Sequence, residues 1–283
     1  MALIKMNIFS ETLGTPVNIN VSLPSSNYFD WCVGARYPYT PGMKYQTLWL
    51  LHGGGEDDSD WVINTSVLRY AEANKLAVVI APALNSFYVD MAHGGRYFTF
   101  FTEELPLVCR TFFPLSDKRE DNFIAGLSMG GAGAMSMALK RPDLYDTALC
   151  LSGAALPPHE IAFIDMQMAA FDKQSTVAAP VVSTLMREAY GDTTKLEGSG
   201  EDMSEVARQN VLEGKTLPRF LFACGGADPA LQGVEAAHAF LKGEGYESAM
   251  ETVPGYGHEW DLWDLYIRKA IYELLPLKRT ILV

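Results

Sequence analysis

Five short, largely apolar runs recur along the chain: Gln46–Leu51, Leu76–Ala81, Phe123–Leu127, Thr147–Ser152 and Arg219–Cys224. A strand that is apolar without alternation is one covered on both faces, and such strands belong to mainly parallel sheets with helices above and below. Helical patterns fall between the runs, at Trp61–Asn74, Phe98–Phe113, Met129–Lys140 and Leu231–Gly243, and a strand at Ser248–Val253 with a closing helix over Glu259–Leu274 completes the alternation. Strand–helix alternation of this kind specifies an α/β fold. Pro106 is compatible with the second of these helices only if that helix begins near Thr102. Ahead of the first buried run, Leu3–Phe9 and Val17–Leu23 alternate apolar and polar residues around the turn-rich Glu11–Pro16, which predicts an N-terminal β-hairpin at the sheet edge.

No internal repeat or linker divides the 283 residues, so residues 1–283 read as a single domain long enough to bury about three quarters of its unfolded surface. The segment 154–218 interrupts the alternation and reads as a helical cap insertion, with helical patterns at about Glu160–Phe171, Ala179–Tyr190 and Asp202–Leu212 and a polar loop, Gly191–Gly200. A net charge of −12 repels phosphate backbones and anionic bilayers, which argues against nucleic-acid and membrane partners. The first residues carry no apolar signal region and no stretch reaches 18 uninterrupted apolar residues, so the expected location is cytoplasmic. Cys32, Cys109, Cys150 and Cys224 lack the paired spacing of a metal or redox site and are expected to be buried thiols.

The chemistry centres on Asn122–Lys140, where Ser128 sits at the turn between a buried strand and a helix, flanked by Gly126 and Gly130. A Gly-x-Ser-x-Gly turn is sharp enough to strain the serine backbone and expose its oxygen. A serine hydroxyl needs a base in reach and a group that orients the base. His258, in the loop Pro254–His258 after the last strand, is the candidate base, since open α/β sheets place chemistry beyond the C-terminal strand ends. Asp228, just after the run that ends at Cys224, is the candidate orienting acid. The order Ser, Asp, His is that of α/β-hydrolases. Three glycines, Gly53–Gly55, follow His52 at the end of the first buried run and bring bare peptide N–H groups near a site for a developing oxyanion. The loop Leu84–Arg96 is expected to border the same site.

These residues carry a resemblance. Leu51-His52-Gly53 with Asp60-Trp61 beyond, Glu103-Glu104-Leu105-Pro106, Phe123 through Gly131, Tyr190-Gly191-Asp192, Cys224-Gly225, Asp228 and Gly257-His258-Glu259-Trp260 together resemble the tributyrin esterase and esterase D branch of the α/β-hydrolases over most of the chain. The resemblance implies an α/β-hydrolase fold and a serine carboxylesterase acting on short acyl groups of a small-molecule ester. It also implies that the backbone N–H of Met129 is one oxyanion donor. By position in the motif Gly54 is the second, with Gly55 the alternative, because the family often has a bulky residue directly after His-Gly where this chain has glycines. No metal or organic cofactor is required. Homo-oligomerisation is left open, as are the acyl length and the alcohol. The alternatives are an S-formylglutathione hydrolase-type thioesterase, against which stands the lack of a cysteine after His52; an acetylxylan or feruloyl esterase on plant polysaccharide; and a non-catalytic scaffold.

Overall fold

In the computed structural model, which describes residues 1–26, 28–34, 39–155, 158, 161–162 and 179–282, each apolar run becomes an interior strand. Among the described residues eight strands form one sheet: β1 (Ala2–Ser10), β2 (Thr15–Leu23), β3 (Gln46–Leu51), β4 (Leu76–Ile80), β5 (Asn122–Leu127), β6 (Thr147–Leu151), β7 (Arg219–Gly225) and β8 (Ser248–Val253). Their spatial order is β1-β2-β4-β3-β5-β6-β7-β8. From β4 to β8 every pairing is parallel, and the hairpin β1–β2 joins β4 antiparallel through Asn20–Ser22. The hairpin turns at Gly14, whose φ of 67° suits glycine. This is the α/β-hydrolase arrangement expected from the sequence.

Strands β3 to β6 are buried along their whole length because successive residues feed opposite cores. Trp49, Leu51 and Ile124 join one core with Met135, Leu139 and Leu241 from the helices Met129–Lys140 and Leu231–Gly243. Leu48, Leu50, Phe123 and Ala125 join the other with Trp61, Leu68 and Ile267.

Two helix expectations need correction. The helix expected over Trp61–Asn74 is two, Asp60–Asn64 and Val67–Ala73. Thr65 is extended between them, and its hydroxyl donates to the Trp61 carbonyl while accepting from the N–H of Val67, so the side chain replaces helical backbone pairing on both sides. The helix over Phe98–Phe113 begins earlier than Pro106 was expected to allow, at Tyr97. It passes through a π-helical turn, Phe100–Glu104, before continuing as Leu105–Phe112. A proline ring collides with the carbonyl one α-turn back and offers no N–H; the wider turn just ahead of Pro106 relieves the collision. The closing helix spans Trp260–Leu274 as expected, α-helical over Trp260–Lys269 and π-helical over Ala270–Leu274.

Of the segment 154–218, the helices Ala179–Tyr190 and Met203–Leu212 form as expected, whereas most of the pattern at Glu160–Phe171 lies outside the described residues. The second of these helices lies against the body of the sheet: Met203 and Ala207 belong to the main core, and Asn210 donates to the carbonyl of Leu139. Cys109, Cys150 and Cys224 are buried as expected, but Cys32 is exposed, because the short helix Tyr28–Cys32 turns it to solvent. No helix among the described residues is long and apolar enough to cross a membrane.

Candidate active site

Ser128, Asp228 and His258 come from three different strand ends and meet. Ser128 follows β5 and precedes the helix Met129–Lys140, with φ 51° and ψ −119°, a conformation a side chain adopts only under constraint. The constraint is visible on every side. The Ser128 N–H donates to the carbonyl of Leu151 at 2.8 Å, and a Cβ on Gly126 would lie 2.2 Å from the Gly130 oxygen. One on Gly130 would lie 2.5 Å from the carbonyl oxygen of His52, and one on Gly153 would lie 2.0 Å from that of Ser128 itself. The strand–turn–helix thus packs backbone against backbone, and no side chain fits between.

His258 stands in the loop after β8, with Nε2 3.0 Å from Ser128 Oγ and Nδ1 3.0 Å from Asp228 Oδ2. Asp228 follows β7 and is 5% exposed. Burial opposes its ionisation, but the N–H of Ala230 at 2.8 Å, the hydroxyl of Ser152 and the imidazole of His258 outweigh it and hold the carboxyl below its ordinary value. The carboxylate therefore accepts the Nδ1–H of His258, which leaves Nε2 as acceptor for the serine proton. A buried thiol beside it does not compete: burial, reinforced by the Asp228 charge, pushes Cys224 up to about 12.

Two other groups at the site, Ser152 and Trp263, had no signal in the sequence. Ser152, buried at the end of β6 with φ 49°, accepts from Trp263 Nε1–H at 3.0 Å and bonds to Asp228. Trp263 also sets its ring edge-on to His258, with centroids 5.1 Å apart. One tryptophan thus contacts both His258 and the serine behind Asp228. Trp260 packs edge-on between Trp263 and Trp61 and continues the aromatic wall into the core.

The glycine loop lies beside Ser128. His52 is fully buried; burial lowers its pKa, and its Nδ1–H donates to the Gly53 carbonyl at 2.8 Å while Nε2 accepts from the N–H of Ala83. Tyr88 donates to the His52 carbonyl at 2.9 Å. The N–H of Gly53 is bonded to Glu56 Oε2 at 2.6 Å and that of Gly55 to Asn85 Oδ1 at 2.7 Å. Those of Gly54 and of Met129, the first residue of its helix, meet no acceptor among the described residues. The loop Leu84–Arg96 borders the glycine loop as expected, through Asn85 and Tyr88, and its Phe87 meets Tyr190 of the segment 154–218 with ring centroids 5.6 Å apart. Among the described residues no group of three or more His, Cys, Asp or Glu side chains is placed to hold a metal ion.

Ser128, His258 and Asp228 thus form one hydrogen-bonded chain, and the protein is similar to known esterases. The family model described as "Putative esterase" matches residues 10–213. An acetyl esterase of Caldicellulosiruptor saccharolyticus is 31% identical, with 95% of this chain and 97% of the relative aligned. Among solved structures, the fluorophosphonate-binding serine hydrolase FphF of Staphylococcus aureus superposes with a TM-score of 0.80 at 30% identity, covering 97% of this chain and 98% of the other. The S-formylglutathione hydrolase FrmB of the same organism superposes at 0.78 and 29%, with the same coverage.

Proposed function

We propose, from the premise that the chain belongs to this esterase family and is a carboxylic ester hydrolase, that Ser128, His258 and Asp228 are its catalytic triad. The observation that carries the assignment is the unbroken hydrogen-bond chain from Ser128 Oγ through His258 to Asp228. Ser128 Oγ attacks the ester carbonyl while His258 Nε2 takes its proton, and Asp228 fixes the tautomer and stabilises the imidazolium. The carbonyl oxygen becomes an oxyanion held by the N–H groups of Met129 and Gly54. Collapse expels the alcohol, protonated by His258, and leaves Ser128 acylated. A water molecule, deprotonated by His258, then attacks the acyl-enzyme and releases the acid.

The proposed substrate is a small-molecule ester of a short acyl group, a reading supported by the acetyl esterase relative. The segment 154–218 is proposed as its cap: Ala92 and His93 donate their N–H groups to the carbonyls of Ala189 and Glu188, tying that segment to the loop bordering the site. The proposed setting is cytoplasmic, without nucleic-acid or membrane partners, in line with a net charge of −12. Ser128→Ala is expected to remove nearly all turnover of p-nitrophenyl acetate or butyrate, a loss on the order of 10⁴-fold or more; a pure variant that retains turnover overturns the proposal. A second reading, a thioesterase, is favoured by the likeness to FrmB. Rates on S-formylglutathione against p-nitrophenyl esters separate the two.

A further inference from the structure

Three consecutive peptide N–H groups follow His52, and a single oxyanion can use one of them together with that of Met129. The chain itself decides which. Gly53 donates to Glu56 Oε2 at 2.6 Å, and Gly55 donates to Asn85 Oδ1 at 2.7 Å, so both neighbours of Gly54 are engaged by side chains. The peptide unit that carries the Gly54 N–H also carries the Gly53 carbonyl, which accepts from His52 Nδ1–H at 2.8 Å. In a planar trans peptide the C=O and N–H point in opposite directions. Anchoring the carbonyl on a buried imidazole therefore aims the N–H of Gly54 away from the core.

We infer that Glu56 and Asn85 are positioning residues of the oxyanion hole, which engage the N–H groups of Gly53 and Gly55 and so reserve that of Gly54 for the developing oxyanion. This rests on the esterase reading above and assigns a task to two side chains that touch neither the nucleophile nor the base. Asn85 comes from the loop after β4, 30 residues beyond the glycine it holds, and its Oδ1 lies 3.7 Å from where a Cβ on Gly54 would stand. Glu56 reaches back three residues to close the turn from inside. Without either contact, a run of three glycines has no side chain of its own to fix its peptide planes, and glycine is the residue with the most backbone freedom.

Kinetics and a transition-state mimic test this on Asn85→Ala, Glu56→Ala and Glu56→Gln, all with the full chain. Butylboronic acid, which takes up a tetrahedral form on an active serine, serves as the mimic. Removing an oxyanion donor outright costs about 10²–10³-fold in kcat, and misplacing one is expected to cost about 10–100-fold. Each alanine variant should lose that factor in kcat with little change in KM, and should lose boronic acid affinity in parallel. Glu56→Gln, which keeps an oxygen acceptor for the Gly53 N–H, should restore most of the rate lost in Glu56→Ala; a merely structural role for the charge predicts no such rescue. Melting temperatures establish that the variants are folded, and if Asn85→Ala does not fold, the Glu56 pair decides alone. Full kcat in folded Asn85→Ala, a loss confined to KM, or a Glu56→Gln no better than Glu56→Ala overturns the inference. A wild type that neither hydrolyses esters nor binds the boronic acid overturns the esterase reading, and this inference with it.

Discussion

Holding Ser128 at φ 51° costs about 1–3 kcal/mol, a cost that only the surrounding packing can offset. That packing is the close approach of Gly126, Gly130 and Gly153 to bare backbone, where any side chain would have to displace a carbonyl rather than a flexible group. Gly130→Val is therefore expected to damage nucleophile and Met129 donor together and to abolish turnover; a folded Gly130→Val enzyme with the wild-type rate contradicts the coupling. The acid has its own signature. Because its native pKa is depressed, Asp228 contributes stability that is present above its unfolded value near 3.8 and lost as pH falls through the lower native value. Asp228→Asn should flatten the acid limb of a plot of melting temperature against pH. His52 has the same sign for a different reason: it is buried neutral, so the unfolded chain binds the proton first, and stability falls as pH drops below about 6.5.

At the scale of elements, the strands were legible because five nearly continuous apolar runs admit one placement, between two helical layers. The proposed site was legible on related grounds, since Ser128 and Asp228 each stand just past such a run and His258 stands past the strand Ser248–Val253. What escaped were groups whose partners are distant in sequence or whose effect lies in backbone geometry. Ser152 meets Trp263 across 111 positions, and neither belongs to a local motif. The π-turn ahead of Pro106 and the break at Thr65 are choices between hydrogen-bond registers that apolar periodicity does not resolve. Glu104, in that π-turn, shows what the register supplies: its carboxylate accepts from Ser10 Oγ and from the N–H groups of Glu11 and Thr12, clamping the hairpin turn. Glu104→Ala should lower stability by about 1–3 kcal/mol in denaturant unfolding while leaving kcat unchanged. Trp263→Phe keeps the ring against His258 but removes the donor to Ser152, so kcat should fall while the fold persists, and an unaltered kcat would remove Trp263 from the supporting network.

For the whole molecule, the sheet places β5, β6, β7 and β8 side by side in sequence order, so Ser128, Ser152, Asp228 and His258 stand along the C-terminal strand ends. The glycine loop enters from β3, on the other side of β5, and the two halves of the site close over Ser128 from opposite directions. In the proposed mechanism, residues spread from His52 to Trp263 thereby meet at one ester carbonyl. A mass measurement on the quenched enzyme tests the central claim most directly, that this carbonyl becomes bound to Ser128. Mixed with p-nitrophenyl butyrate and stopped in acid within the first turnover, the wild-type chain should gain one butyryl group, and proteolytic mapping should place it on Ser128. Ester hydrolysis that proceeds with no adduct, or with an adduct on another residue that survives in Ser128→Ala, would contradict it.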